Sequence, residues 1–125
     1  MKKAKILTID DEPDFVALLK NYFSIRGHEV FTALRGGDGI EIAGRERPDV
    51  ILVDLKLPGL DGDQILREVK KVHPGAKTIM ITAFKDDGGA KQKALAAGVY
   101  AYFEKPIASF KTLEETVNKA AEEGK

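Results

Sequence analysis

Apolar and polar positions follow two periods along the chain, one of strands and one of helices. Residues 4–9 form a short, mostly apolar run that reads as a buried strand, with Pro13 placed at a first helical turn. Phe15, Leu18, Leu19, Tyr22 and Phe23 then recur at the i, i+3, i+4, i+7 and i+8 spacing of one helix face, and Gly27 terminates it. Residues 29–33 are a second strand. Arg35-Gly36-Gly37-Asp38-Gly39 reads as a loop, followed by a short helix over residues 40–45. Val50-Ile51-Leu52-Val53 is continuous and mostly β-branched, as a strand buried on both faces would be.

Leu57-Pro58-Gly59-Leu60-Asp61-Gly62 predicts a turn-rich loop. The helix after it turns Ile65, Leu66, Val69 and Val72 inward and stops at Pro74-Gly75. Residues 78–82 are a fourth strand and residues 100–104 a fifth. Between them residues 86–97 predict a helix whose start is weakened by Gly88-Gly89, at about 1 kcal/mol per glycine, so that this start should be mobile. A closing helix spans residues 110–122 with Phe110, Leu113, Val117 and Ala121 inward. Five βα units in register imply an α/β fold: a single-domain, doubly wound (βα)5 sandwich over residues 1–125, its parallel sheet ordered 2-1-3-4-5.

Composition narrows the chemistry. The chain has 125 residues and no cysteine, which excludes disulfides, thiolate metal sites and cysteine nucleophiles. Its two histidines, His28 and His73, read as surface residues beside turns and leave little for a histidine-based metal site. Twenty basic residues balance twenty acidic ones, which argues against a general nucleic-acid or membrane-surface binder. No apolar stretch approaches the roughly 18 residues needed to span a bilayer, and no secretory signal is recognisable. The expected location is cytoplasmic.

In an open parallel sheet, function collects at the carboxyl ends of the strands. Asp10-Asp11-Glu12 follows the first strand, Asp54 the third, Thr82 ends the fourth and Lys105-Pro106 follows the fifth. Asp54 lies two βα repeats after Asp10, and Thr82 and Lys105 follow at one repeat each, so all share one edge. Clustered carboxylates stay ionised only with a cation among them, and an all-oxygen set selects a hard ion such as Mg²⁺. A lysine and a hydroxyl beside them complement phosphoryl oxygens. The set reads as phosphoryl transfer to a carboxylate.

With these residues in order, the chain resembles a response-regulator receiver domain of bacterial two-component signalling, the CheY-like family with a flavodoxin-like fold. The resemblance is carried by Asp10-Asp11, by Asp54 in Val53-Asp54-Leu55, by the residue 57–62 loop, by Thr82-Ala83 and by Tyr102-Phe103-Glu104-Lys105-Pro106. It implies that Asp54 is the phosphoacceptor, taking its group from a phosphohistidine of a sensor histidine kinase or phosphotransfer protein, or from a small acyl phosphate. It further implies that Asp11, Asp54 and the backbone carbonyl of Lys56 bind Mg²⁺ directly, with Asp10 acting through a water and with Mn²⁺ or Ca²⁺ as substitutes. Lys105 would pair with one phosphoryl oxygen and Thr82 with another, while Tyr102 swings inward. That shift would move the face of the fourth helix, fifth strand and fifth helix toward a downstream effector or tethered output domain. A cis Lys105-Pro106 bond is implied as well. The domain would catalyse only its own phosphorylation and dephosphorylation, and would bind neither nucleic acid nor membrane.

Taken singly, each residue has a plainer explanation. Asp10 or Asp11 could cap the first helix, Thr82 could be a strand-end hydroxyl, Lys105 a solvated lysine and Tyr102 core packing. Those explanations fail jointly, because several independent strand ends would have to carry these residue types by accident. A haloacid-dehalogenase-type phosphatase would need a second Asp where Glu12 stands. A flavodoxin-like cofactor binder would place its phosphate against Asp10-Asp11-Glu12-Pro13-Asp14, which repels it. A degenerate receiver used as an adaptor fits poorly with the intact Asp, Thr and Lys set. Lys56 and an apolar Phe84 flank the expected water approach, and Phe84 is expected to lengthen the phosphoryl lifetime relative to an acidic or amide residue there. No output domain follows the fifth helix within these residues, leaving a stand-alone receiver and a portion of a larger regulator or hybrid kinase both open.

Overall fold

The computed structural model describes residues 3–54, 62–83 and 90–123. Strands and helices alternate as β1 (Lys5–Ile9), α1 (Pro13–Ile25), β2 (Glu29–Ala33), α2 (Gly36–Glu46), β3 (Val50–Val53) and α3 (Gly62–Val72), then β4 (Lys77–Thr82), α4 (Ala90–Ala96), β5 (Ala101–Glu104) and α5 (Phe110–Glu123). The five strands are parallel in the order β2-β1-β3-β4-β5, as the alternation predicts. Strand residues of opposite parity feed two cores. Ile6, Val50, Leu52, Ile79 and Ile81 pack with Leu19 and Phe23 of α1 and with Leu113, Val117 and Ala120 of α5. Leu7, Ile9, Ile51, Val53 and Met80 pack on the other face with Ala43 of α2, Ile65, Leu66 and Val69 of α3, and Ala94 of α4. The central strands are therefore apolar at nearly every position, the cause of the unbroken Val50–Val53 run.

Register places the chemistry. Ile9 pairs with Val53, so Asp10 and Asp54 emerge side by side at the carboxyl ends of β1 and β3. The Asp54 N–H donates to the Ile9 carbonyl at 3.0 Å and the Asp10 N–H to that of Ala33 at 3.0 Å, which extends the ladder one residue past each strand. Thr82 pairs with Glu104, and the Lys105 N–H donates to the Thr82 carbonyl at 2.8 Å.

Four local expectations need correction. The glycine-rich segment after β2 is the first turn of α2, which starts at Gly36 rather than at residue 40. The reason is close packing: a Cβ on Gly39 would lie 2.4 Å from Ile9 Cδ1 and 2.6 Å from Cγ1. Only glycine lets α2 rest on β1, and that approach outweighs the roughly 1 kcal/mol propensity cost of a helical glycine. Gly39→Ala is accordingly expected to destabilise the fold by roughly 1–3 kcal/mol in urea unfolding, since the buried Ile9 has nowhere to move.

Leu18 and Val72 are exposed instead of inward. The buried stripe of α1 runs through Val16, Leu19 and Phe23, with Phe15 and Tyr22 half-buried beside it, which leaves Leu18 at its rim. Val72, at the last turn of α3, lies over Gly44 of α2, outside the core.

The histidines are not surface residues. α1 ends in a Schellman turn, with Gly27 at φ +92° donating to the Ser24 carbonyl and the His28 N–H donating to that of Phe23. This folds His28 under the helix, edge-on to Phe23, where its Nδ1 accepts the Ala4 N–H at 3.0 Å. His73 is half-buried, with Nε2 at 2.6 Å from the Pro48 carbonyl. Burial lowers the His28 pKa, against the raising charge of Glu114. With the folded value below the unfolded one of about 6.5, the unfolded chain binds more protons as pH falls. Stability is therefore complete above that value and declines below it. His28→Asn, which can still accept the Ala4 N–H, should lose this acid slope relative to wild type in urea titrations between pH 7.5 and 5, pH values spanning the unfolded pKa of about 6.5.

Expectations for the residue 57–62 loop before α3, for the start of the fourth helix at residues 86–89, and for Lys56 and Phe84 lie outside the described residues. No helix among the described residues is long and apolar enough to cross a membrane.

Candidate functional site

The turn leaving β1 is fixed by its own first acid. Asp10 is 2% exposed and its Oδ1 accepts the Glu12 N–H at 3.0 Å. Glu12 then occupies the N-cap of α1, ahead of Pro13, without a side-chain capping bond. Neither Asp10 nor Asp11 occupies the cap. Asp11 is exposed, while Asp54, at 7%, is buried next to Asp10.

Lys105 reaches back from the end of β5 across this edge. Its Nζ lies 2.8 Å from Asp10 Oδ2 and 3.3 Å from Asp54 Oδ2, and it makes a short bond to Glu12 Oε1. The ammonium also sits 4.4 Å from the centre of the Phe15 ring, a cation–π contact that shields it from solvent. Burial by itself would lower the Lys105 pKa, but the hydrogen bonds it donates to Asp10 and Glu12 and the charges of Asp10 and Asp54 outweigh it and raise the value above the ordinary lysine range. Lys105 is charged at every physiological pH. Burial pushes the Asp10 carboxyl upward, opposed by Lys105 and by the Glu12 N–H.

Among the described residues, Asp10, Glu12 and Asp54 bring oxygens within 4.8 Å of one another. Three carboxylates against one ammonium leave this group with a formal charge of −2. An all-oxygen, doubly negative cluster suits a hard divalent cation and offers nothing to a soft one. Asp11 lies outside this group, and the Lys56 carbonyl lies outside the described residues. Glu12 is the member that sequence reasoning passed over as a ligand. Its signal was the third acid of the run at a helix start, a position with a ready explanation as ordinary helix-terminus chemistry.

Thr82, buried at the end of β4, completes the row of strand ends, and Tyr102, half-buried within β5, pairs with Met80, two residues before Thr82. Tyr102 packs against the core of the α2–α3–α4 face and borders an open hollow of about 640 Å³ that runs past Lys91 of α4 to Thr112 of α5. The Lys105-Pro106 bond is cis, as expected.

The chain matches the family model of the response regulator receiver domain over residues 6–118. It is 36% identical over 116 residues to protein PilH of Pseudomonas aeruginosa, covering 92% of this chain and 95% of that one. It is 32% identical over 126 residues to the transcriptional regulatory protein GlrR of Escherichia coli K12; the match covers 96% of this chain and spans 28% of that relative's length. A response regulator receiver domain protein from Clostridium thermocellum superposes with a TM-score of 0.87 at 34% identity, over 96% of this chain and 95% of that one. A CheY-like receiver domain protein from Methanospirillum hungatei does so with a TM-score of 0.89 at 29% identity, over 98% and 97%. Strand order, edge chemistry and relatives agree, and the chain belongs to the response regulator receiver domains of two-component signalling.

Proposed function

We propose that Asp54 accepts a phosphoryl group from the phosphohistidine of a sensor histidine kinase or a phosphotransfer protein, and that the modified domain controls a downstream effector or a tethered output domain in the cytoplasm. An Asp54 carboxylate oxygen attacks phosphorus, the N–P bond breaks, and the imidazole nitrogen leaves with the bonding pair, so an aspartyl phosphate replaces the phosphohistidine. The observation that best supports this reading is the Lys105 ammonium, 10% exposed and already within 3.3 Å of Asp54, where it can stabilise charge on a transferring phosphoryl group.

Asp11, Asp54 and the Lys56 carbonyl, with Asp10 acting through a water, would hold Mg²⁺, which would neutralise charge on the acceptor and on the phosphoryl oxygens. The residues of this edge supply the rest. Asp10, nearly buried, orients the turn that carries the acidic run. The Thr82 hydroxyl takes a phosphoryl oxygen, and Tyr102 follows inward, which repacks the face of α4, β5 and α5. The change is a two-state shift biased by one new local charge. The domain acts on no substrate but its own aspartate.

Intact-mass spectrometry after incubation with acetyl phosphate tests the reading. Wild type is expected to gain a single phosphoryl adduct with Mg²⁺ and none with chelator, and Asp54→Asn to gain none under either condition. An adduct that survives in Asp54→Asn and is lost in Asp10→Asn would overturn the assignment in favour of a nucleophile on the first strand.

A further inference from the structure

We infer that Glu12 is a positioning residue for Lys105, the partner that holds the ammonium in the unphosphorylated protein and releases it to the phosphoryl group. The inference rests on the reading of Asp54 as phosphoacceptor and adds to it a residue that governs how readily the site is filled.

An ammonium carries three N–H donors. In Lys105 they face Asp10 Oδ2 at 2.8 Å, Glu12 Oε1 and Asp54 Oδ2 at 3.3 Å. With every donor engaged, a phosphoryl oxygen arriving at Asp54 can bind Lys105 only if one carboxylate lets go. The three carboxylates differ greatly in what release costs them. Asp10 is 2% exposed and would be left as an uncompensated charge away from water. Asp54 is the residue being modified. Glu12 is 59% exposed and regains hydration as soon as its side chain rotates.

Local structure favours the same residue. Glu12 stands at the N-cap of α1, yet its carboxylate makes no capping bond and instead reaches Lys105 across the site. Its backbone N–H is fixed by Asp10 Oδ1, so the exchange needs only side-chain rotation and no movement of the turn. Lys105, packed against the Phe15 ring, needs only to reorient its donors. Glu12 thus favours the resting arrangement by about the energy of an exposed charge pair.

The test compares wild type, Glu12→Gln and Glu12→Asp for the rate of adduct formation from acetyl phosphate, each at saturating Mg²⁺ so that metal affinity drops out. In that reaction the Asp54 oxygen displaces acetate, whose P–O bond breaks. Both variants are expected to react about two- to five-fold faster, the range set by an exposed pair of up to ~1 kcal/mol. Gln lacks the charge and Asp lacks the reach, so a gain in Gln alone would mean bulk electrostatics and overturn the inference. In a Lys105→Met background the gain should vanish, and its persistence there would also overturn it. The ¹⁵N signal of the Lys105 ammonium, recorded in chelator without a phosphodonor, should shift in both Glu12 variants. An unmoved signal would refute the contact even if Asp54 proved not to be the acceptor, whereas a wild type that takes no phosphoryl group would refute the acceptor reading alone.

Discussion

Lys105→Met is expected to slow adduct formation from acetyl phosphate on the order of 10²-fold, the usual loss when one preorganised charge-stabilising group is removed. The same substitution is expected to destabilise the protein in chelator by roughly 2–4 kcal/mol. Both effects have one cause. Lys105 supplies the described cation among three carboxylate oxygens that lie within 4.8 Å of one another, two of them on nearly buried residues. Methionine keeps an unbranched apolar side chain of similar length, so the loss reports charge more than packing. Adding Mg²⁺ should recover a large part of the stability and little of the rate, because a cation at the acids relieves their repulsion without replacing the ammonium at the phosphoryl oxygen. Urea unfolding with and without Mg²⁺, alongside the mass-detected rate, separates the two. An equal recovery of both would contradict the separate roles given to lysine and metal.

Asp10→Asn is expected to have the opposite sign in stability. Burial raises the Asp10 carboxyl above its ordinary pKa, although Lys105 works against the shift. Its ionised form is therefore less favourable in the folded protein than in the unfolded one at neutral pH. Asparagine keeps an oxygen for the Glu12 N–H and removes the repulsion with Asp54, while Lys105 retains Glu12 and Asp54. The variant should be more stable than wild type by about 1–2 kcal/mol in chelator at pH 7. The advantage should shrink as pH falls and wild-type Asp10 protonates. Mg²⁺ should stabilise wild type appreciably and the variant much less, and adduct formation should fall at least ten-fold, on the order expected for the loss of one charged group from the site. A variant less stable than wild type in chelator would show that the Asp10–Lys105 contact outweighs the cost of burying this charge.

Together these two substitutions test whether the edge holds mutually repelling charges that the proposed phosphoryl transfer to Asp54 would draw on. They also explain why so much of it was legible in the sequence. Strands buried on both faces must be continuous apolar runs, so Val50–Val53 located β3 and with it Asp54. Regular βα repeats then carried Asp10, Thr82 and Lys105 to the same edge, and the observed register bears out that alignment. What could not be read depends on distant partners. The glycines of α2 look like a loop until Ile9 is seen against Gly39. His28 looks like a turn residue until Ala4, 24 positions away, donates to its ring. Glu12 has a sufficient local explanation at a helix start, and only Lys105, 93 positions away, gives it another role.

The central claim is that Asp54 carries the phosphoryl group, and borohydride trapping tests it most directly. Borohydride reduces an acyl phosphate to an alcohol, so a phosphorylated aspartate becomes homoserine, which peptide mapping locates. After acetyl phosphate treatment, homoserine is expected at position 54 alone, and only when Mg²⁺ was present. Homoserine at position 10 or 11, or an adduct that resists reduction, would contradict the account.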